Sequence, residues 1–246
     1  METKPSLDVD ALERLVPDAV REKDATGADS LRLSVERYEF AANHIEGDQV
    51  LDIACGSGYG TRLLADRGDA AGRVVTGVDL SEAAIEYATG RYGNENTCFI
   101  AGDGMAFGDR GGFDAVVSIE TIEHVPDAHG FMERLISLVR PGGLLVASVP
   151  VTPSVDGNPH HLHDFTARSF RQPFLEHGMF ELDSLEQIQS FGLFSVLTRS
   201  EARMKDVRPN LVGYYLRNPW AFARRCLSTA QHGLVNKYLT IAWRAP

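Results

Sequence analysis

The sequence predicts an α/β domain built on a doubly wound, mostly parallel sheet. Three observations lead there. Short apolar runs alternate with amphipathic segments between residues 49 and 150. A glycine-rich turn, "ACGSGYG", joins the first run to the segment after it. An acid, Asp79, ends the second run about twenty residues further on, where it can accept hydrogen bonds from paired hydroxyls. The chain has 246 residues, which suits one large domain, and no repeat or low-complexity segment divides it.

Residues 1–46 read as an N-terminal helical cover. A polar, acidic stretch runs to about residue 30, with a connector around "DATGADS". A helix then spans Leu31 to Ile45, capped by Asp29 or Ser30. "QVLDIA" is a buried strand, and "SGYGTRLLADRG" is a turn and a helix ending at Gly68. "RVVTGVDL" is a second strand. "SEAAIEYATGRYG" is a second helix of the alternating region, capped by Ser81. "TCFIAG" and "FDAVVSI" are strands three and four. "DAHGFMERLISLVRPGG" is a helix stopped by Pro141-Gly142-Gly143, and "LLVASVPV" is strand five. Residues 151–246 form a second half. It holds a turn-rich loop "TPSVDGNPHHLHDF", a helix from Thr166 or Ser169 that contains Pro173, and late strands "FELDSLEQIQ" and "YLTIAWRA". Between those strands, residues of about 199–232 are basic and aromatic, an insertion and not a separate domain.

Composition narrows the partners. A net charge of −10 and a pI near 5.3 argue against general nucleic-acid binding. No apolar run approaches a membrane span, and the acidic N-terminus lacks a secretory apolar segment. Cys55, Cys98 and Cys226 are scattered, so a disulfide framework is not expected and the cytoplasm is the default compartment. Cys55 has no adjoining His or Lys and reads as a small packing residue.

The glycine turn reads "DIACGSGYG", with Asp52 on the strand before it. Gly56 and Gly58 permit a tight turn and close ligand approach. Asp52 would repel a pyrophosphate and suit a cationic amino-acid end. Together with the missing third-glycine spacing, it disfavours a nicotinamide-dependent reductase. These residues and the order of elements resemble the class I S-adenosylmethionine-dependent methyltransferases over about residues 35–190. That resemblance implies a Rossmann-like, seven-stranded, mostly parallel sheet with an antiparallel last strand. Residues 47–150 would be the cofactor-binding half and 151–246 the acceptor-side half, within a single domain 1–246. It implies S-adenosylmethionine as cofactor, set in the "VLDIACGSGYG" turn with Asp52, Ala54, Gly56 and Gly58, Ala54 replacing the usual first glycine. Asp79 with Leu80 would hold the ribose. Asp103, Gly104 and Met105 would hold the adenine, and Ser118 and Ile119 would lie beside the methionine part. "ERYEFAANHIEG" is similar to helices of glycan-pathway methyltransferases, where Tyr38 and Phe40 could cover the cofactor or simply pack the core.

"SIETIEHV" follows strand four, at the functional edge of a parallel sheet. As a helical turn it puts Glu120, Glu123 and His124 on one face, half of a site for a hard divalent cation. With "NPHHLHDFT" it resembles the small-RNA 2′-O-methyltransferases, and its ExxEH element resembles the ubiquinone-pathway O-methyltransferases. The implied metal ligands are Glu120, Glu123, His124 and His161 around Mg²⁺, with His160 or His163 as substitutes for His161 and Asp164 behind the ligands. A bound cation would activate a hydroxyl, and Glu120 or whichever of His160, His161 and His163 is not a ligand would serve catalysis. A metal-free role for the same cluster is the alternative.

The implied reaction is O-methylation of a sugar or glycosylated natural product, with a sugar, sugar nucleotide or glycoside as acceptor. N-methylation of an amino sugar is one alternative, and a cofactor-binding auxiliary subunit without turnover is another. The basic segment is expected to be a lid over the acceptor, with peripheral membrane contact through "NPWAFARRCL" or a homodimer face as further candidates.

Overall fold

The computed structural model describes residues 14–20, 25–67, 72–190 and 210–246. The first half of the acidic N-terminus, the expected helix end at Gly68 and the basic stretch 199–209 lie outside them. Seven strands form one sheet in the order β3-β2-β1-β4-β5-β7-β6. These are β1 (Gln49–Ile53), β2 (Val74–Asp79), β3 (Thr97–Ala101), β4 (Phe113–Ile119), β5 (Val139–Pro150), β6 (Phe180–Ser190) and β7 (Val235–Arg244). Pairings from β3 through to β5 are parallel, and β7 runs antiparallel to both its neighbours. This is the Rossmann-like sheet with an antiparallel last strand that the methyltransferase resemblance implies.

Alternation along the strands gives the sheet two buried faces. Val116 of β4 faces a cluster with Phe131, Leu135, Phe170, Phe174 and Trp243, under α4 (Ala128–Leu138) and α5 (Ala167–Glu176). Its neighbours Ala115 and Val117 face the opposite cluster, with Tyr38, Ala41 and Leu64 of α1 (Ala25–His44) and α2 (Tyr59–Asp66). Each fully buried Leu or Phe contributes about 2–3 kcal/mol. The remaining helix of this half, α3 (Glu82–Tyr92), starts where Ser81 accepts from the N–H of Ala84, as its sequence predicts. Thr166 and Ser169 close a reciprocal capping box at the start of α5, and Pro173 sits inside that helix without ending it.

Three local expectations are corrected. Helix α1 starts at Ala25, so Asp29 and Ser30 lie within it and do not cap it. Asp29 pairs with Arg32, and Ser30 accepts from Gln189 of β6, so packing on a distant strand extends the helix. Helix α4 stops at Leu138, and the "RPGG" segment belongs to β5. A register irregularity between Phe113 and Ala115 absorbs it, with Gly142 at φ 71°. "SIETIEHV" forms only a short 3-10 turn, Ile122–His124, and Glu120 stands before it at φ 51°. The part of the basic insertion within the described residues is a helical hairpin, α6 (Leu211–Arg217) and α7 (Pro219–His232).

Candidate active site

A cavity of about 950 Å³ opens at the carboxyl ends of the parallel strands, where an open α/β sheet places its ligands. Its floor comes from the segments that leave β1, β2, β3 and β4. Its roof comes from α1, the loop after β5 and the α6–α7 hairpin.

The glycine turn after β1 is a tight left-handed structure. Ala54, Gly56 and Gly58 have φ of 61°, 58° and 86°. A Cβ on Gly58 would lie 2.5 Å from the Ala88 methyl, so only glycine lets this turn sit against α3. Around Gly56 the space is open, with Arg14 the nearest group at 4.0 Å. Asp79 ends β2, and its Oδ2 accepts from the Gly56 N–H at 3.0 Å. Its Oδ1 accepts from Ser81 N–H and from Arg14, each at 2.9 Å. The Arg14–Asp79 pair is almost fully buried. The N-terminal segment is pinned over the turn: Ser57 donates to the Leu15 carbonyl at 2.6 Å, and Asp18 pairs with Arg91 at 2.8 Å.

Nine of the sequence-implied cofactor residues line the cavity: Tyr38, Ala54, Gly56, Asp79, Leu80, Asp103, Gly104, Met105 and Ile119. Asp52, Gly58 and Ser118 do not. Asp52 is fully buried behind the turn, where it accepts from Thr61 at 2.7 Å and from Tyr38 at 3.3 Å. Burial pushes its carboxyl up to about 7, the two hydrogen bonds opposing that shift. Its role is to brace the turn from beneath rather than to face a cationic ligand. Burial also pushes the Cys55 thiol well up, in keeping with a packing residue. Phe40 meets the His44 ring at a tilt of 47°, with centroids 4.5 Å apart, and packs half-buried against the core cluster of α1 and α2.

The remaining wall could hold a nucleoside. Asp79 lines the cavity at a strand end, and beside the bonds from Gly56, Ser81 and Arg14 its remaining lone pairs could accept from ribose hydroxyls. Asp103 offers acceptors to an exocyclic amine, and Met105, Ile53 and Val78 offer apolar surface to a base.

At the other end of the cavity, Glu123, His124 and His161 converge. One ligand atom from each lies within 4.8 Å of the other two. Glu123 is buried, and the His124 and His161 rings meet edge-on at 4.7 Å. His124 Nδ1 lies 3.1 Å from the His160 carbonyl, which can only accept, so Nδ1 carries a proton and Nε2 is the ring atom turned towards Glu123, at 4.0 Å. His161 Nδ1 bonds the Ser154 hydroxyl at 2.7 Å. Asp164 accepts from the N–H groups of Ser154 and Val155 at 2.7 and 3.1 Å and so orders the turn behind His161. Of the three histidines in "NPHHLHDFT", only His161 reaches the cavity. His163 Nε2 bonds the Val125 carbonyl at 2.9 Å, and His160 is exposed.

Glu120 stands apart from that trio. Ser148 donates to its Oε1 at 2.8 Å and accepts from its N–H at 3.0 Å, and Arg37 lies 3.9 Å from the same carboxylate. A non-glycine residue held in the left-handed region costs about 1–3 kcal/mol, and such strain collects at functional sites. Arg37 is itself buried. It donates to Gln187 of β6 at 2.8 Å and lies over the Tyr238 ring at 4.2 Å. Sequence reading missed Arg37, although it adjoins Tyr38. It also missed Ser154, which bonds His161 seven residues on, and Arg14 and Ser148, whose partners lie 65 and 28 residues away.

The hairpin is anchored by Asp156 in the loop after β5. Arg225 donates to both of its oxygens, and Tyr215 donates to Oδ2. Although burial opposes it, these hydrogen bonds hold the Asp156 carboxyl below the usual range.

Sheet order, the antiparallel last strand and the cavity at the strand ends together define the fold of the class I methyltransferases. The comparisons with known proteins agree. Residues 51–147 match the family model described as "Methyltransferase domain". A probable S-adenosylmethionine-dependent methyltransferase of Mycolicibacterium smegmatis is 31% identical over 163 residues, covering 63% of this chain and 61% of that protein. A ubiquinone biosynthesis O-methyltransferase of Alkalilimnicola ehrlichii is 36% identical over 109 residues, 42% of each chain. The chain thus spans less than two thirds of these relatives. Among solved structures, a geranyl diphosphate methyltransferase in complex with SAM has a TM-score of 0.64 at 17% identity, over 95% of this chain and 94% of that one.

Proposed function

We propose that the protein is an S-adenosylmethionine-dependent O-methyltransferase acting on a hydroxyl of a sugar or glycosylated small molecule, assisted by a divalent cation. The observation that carries the reading is the placement of two chemically distinct ends in one cavity. Gly56, Asp79 and Asp103 suit the cofactor, and Glu123, His124 and His161 suit a cation. The matched methyltransferase domain and the relatives named as O-methyltransferases support methyl transfer to oxygen. Asn158, Thr229 and Asn236 on the cavity wall give a hydroxyl-rich acceptor hydrogen-bonding partners.

When bound, the cofactor supplies an electrophilic methyl group and the cation lowers the pKa of a nearby hydroxyl. The chain's own residues do the rest. Asp79 and Asp103 orient the nucleoside. Glu120, aimed by Ser148 and Arg37, accepts the acceptor's proton. The hairpin and α1 exclude water. One carboxylate with two imidazoles is a softer set than the Mg²⁺ site implied by four ligands. It suits Mn²⁺, Fe²⁺ or Zn²⁺ at least as well as Mg²⁺.

A labelled-methyl transfer screen over glycosides and sugar nucleotides tests the proposal, run in EDTA and after adding back Mg²⁺, Mn²⁺ or Zn²⁺. Transfer that is lost in chelator and restored by one metal is expected. Full turnover in EDTA overturns the metal role. No transfer to any hydroxyl, with turnover on an amino sugar, overturns the acceptor class.

A further inference from the structure

The α6–α7 hairpin has two unlike sides. Facing inward, Leu211 and Tyr215 of α6 and Arg225 and Thr229 of α7 line the cavity, and Ala221, one turn before Arg225, is buried. At 100° per residue the opposite side of α7 carries Trp220, Ala223 and Leu227. Trp220 is 83% exposed and Leu227 59%. On α6, Val212 and Leu216 are one turn apart, at 74% and 81% exposure. Large apolar side chains this exposed, grouped on one short hairpin, mark an interaction surface.

Charge narrows the partner. From Leu211 to the last residue the chain contains Arg217, Arg224, Arg225, Lys237 and Arg244 and no acid, in a protein of net charge −10. Arg217 and Arg224 are exposed beside the apolar row, Arg224 lying 3.6 Å from Asp164 with most of its side chain in solvent, whereas Arg225 is held by Asp156. An apolar row flanked by cations on an otherwise acidic protein complements an anionic, apolar-cored surface. A second copy fits less well. A two-fold contact through this face would bring the same cationic, acid-free surface of two copies together. Among the described residues no helix is long and apolar enough to cross a membrane, so the contact is interfacial.

We propose that the α6–α7 hairpin docks on the surface of an anionic lipid bilayer, with Val212, Leu216, Trp220 and Leu227 in the headgroup layer and Arg217 and Arg224 against lipid phosphates. The wall that seats on the membrane is then the outer side of the wall that lines the cavity, so the acceptor site opens beside the lipid surface. Docking depends on the hairpin and not on the metal or acceptor assignment.

The test is co-sedimentation of the full chain with vesicles of phosphatidylcholine alone or mixed equally with phosphatidylglycerol, at low and high salt. Binding to the anionic vesicles only, weakened by salt, is expected. Leu216→Glu and Trp220→Glu should each weaken it about tenfold or more. Both positions are exposed, so circular dichroism should match the wild type. Of the two tryptophans Trp243 is fully buried, so a blue shift on adding vesicles reports Trp220. Absence of sedimentation and of any shift with anionic vesicles overturns the proposal. So does a concentration-dependent dimer that Leu216→Glu dissociates in a protein that ignores vesicles. Sedimentation needs no turnover, so the result stands apart from that of the methyl-transfer screen.

Discussion

At the end of the cavity proposed for the cofactor, the candidate groups sit where β1, β2 and β3 stop. Gly56, Asp79 and Asp103 fall within 48 residues of chain, and adjacent strands in fixed register hold them side by side. At the acceptor end, the groups are gathered from far apart. Arg37 reaches Gln187 across 150 positions, Gln189 reaches Ser30 across 159, and Asp156 holds Arg225 across 69. The first end is a consequence of the sheet. The second is assembled by side chains on α1, β6, the loop after β5 and the hairpin. Each of these can change without disturbing the strand order. Under the proposed assignment, the difference explains how one sheet can keep its cofactor end while the acceptor end is rebuilt around it.

The sharpest way to break this comparison is to damage one end and read both. Glu123→Gln and His161→Ala should each cut methyl transfer about a hundredfold, with cofactor affinity by calorimetry changed less than about twofold. Asp79→Asn should do the reverse. Losing a charge-assisted acceptor weakens cofactor binding by about tenfold to a hundredfold, and turnover at saturating cofactor falls far less. If His161→Ala weakened the cofactor as much as the reaction, the two ends would not be separate.

The same division governs what was legible in the sequence. The glycine turn, Asp79, Asp103 and the strand order could be read because each depends on neighbours within one βα unit. Glu123, His124 and His161 are legible as candidates as well, and the structure brings them together. Their separation from Glu120 was not foreseen, because it depends on a 3-10 turn and on Ser148 from the next strand. The true start of α1 and the roles of Arg37 and Arg14 were hidden for the same reason. Their partners are set by tertiary packing and not by spacing. Asp52 was visible but given the wrong surroundings: alternation put it inside the sheet, and only packing shows Thr61 and Tyr38 closing over it.

Asp52 provides the second test, on the stability of the cofactor end alone. Its carboxyl rises from 3.8 to about 7 on burial. The folded protein therefore keeps a proton that the unfolded chain releases near pH 4. The stability tied to that proton is complete below about pH 4 and declines as pH rises to about 7, by about 4 kcal/mol at most. Asp52→Asn keeps acceptor and donor atoms beside Thr61 and Tyr38 but does not ionise. Denaturant midpoints between pH 4 and 7.5 should fall for the wild type and stay flatter for the variant. Parallel curves would mean that water or a conformational adjustment relieves the buried charge.

The smallest expected effect isolates the backbone of the turn. Ala54 holds φ at 61°, where an L residue brings its Cβ against the following carbonyl at a cost of about 1–2 kcal/mol. Ala54→Gly removes that cost but loosens the unfolded chain, which offsets about 0.4–1 kcal/mol of the gain. The net expectation is a stabilisation of about 0.5 kcal/mol, read as a higher denaturant midpoint with an unchanged slope. Cofactor affinity should hold or improve slightly, since the turn already has the conformation glycine prefers. A loss of stability would mean that the Ala54 methyl, packed against the core cluster beside β1, contributes more than its strain removes. In that case the cofactor turn would depend on side-chain packing, as the acceptor end does, and the contrast between the two ends would narrow to register alone.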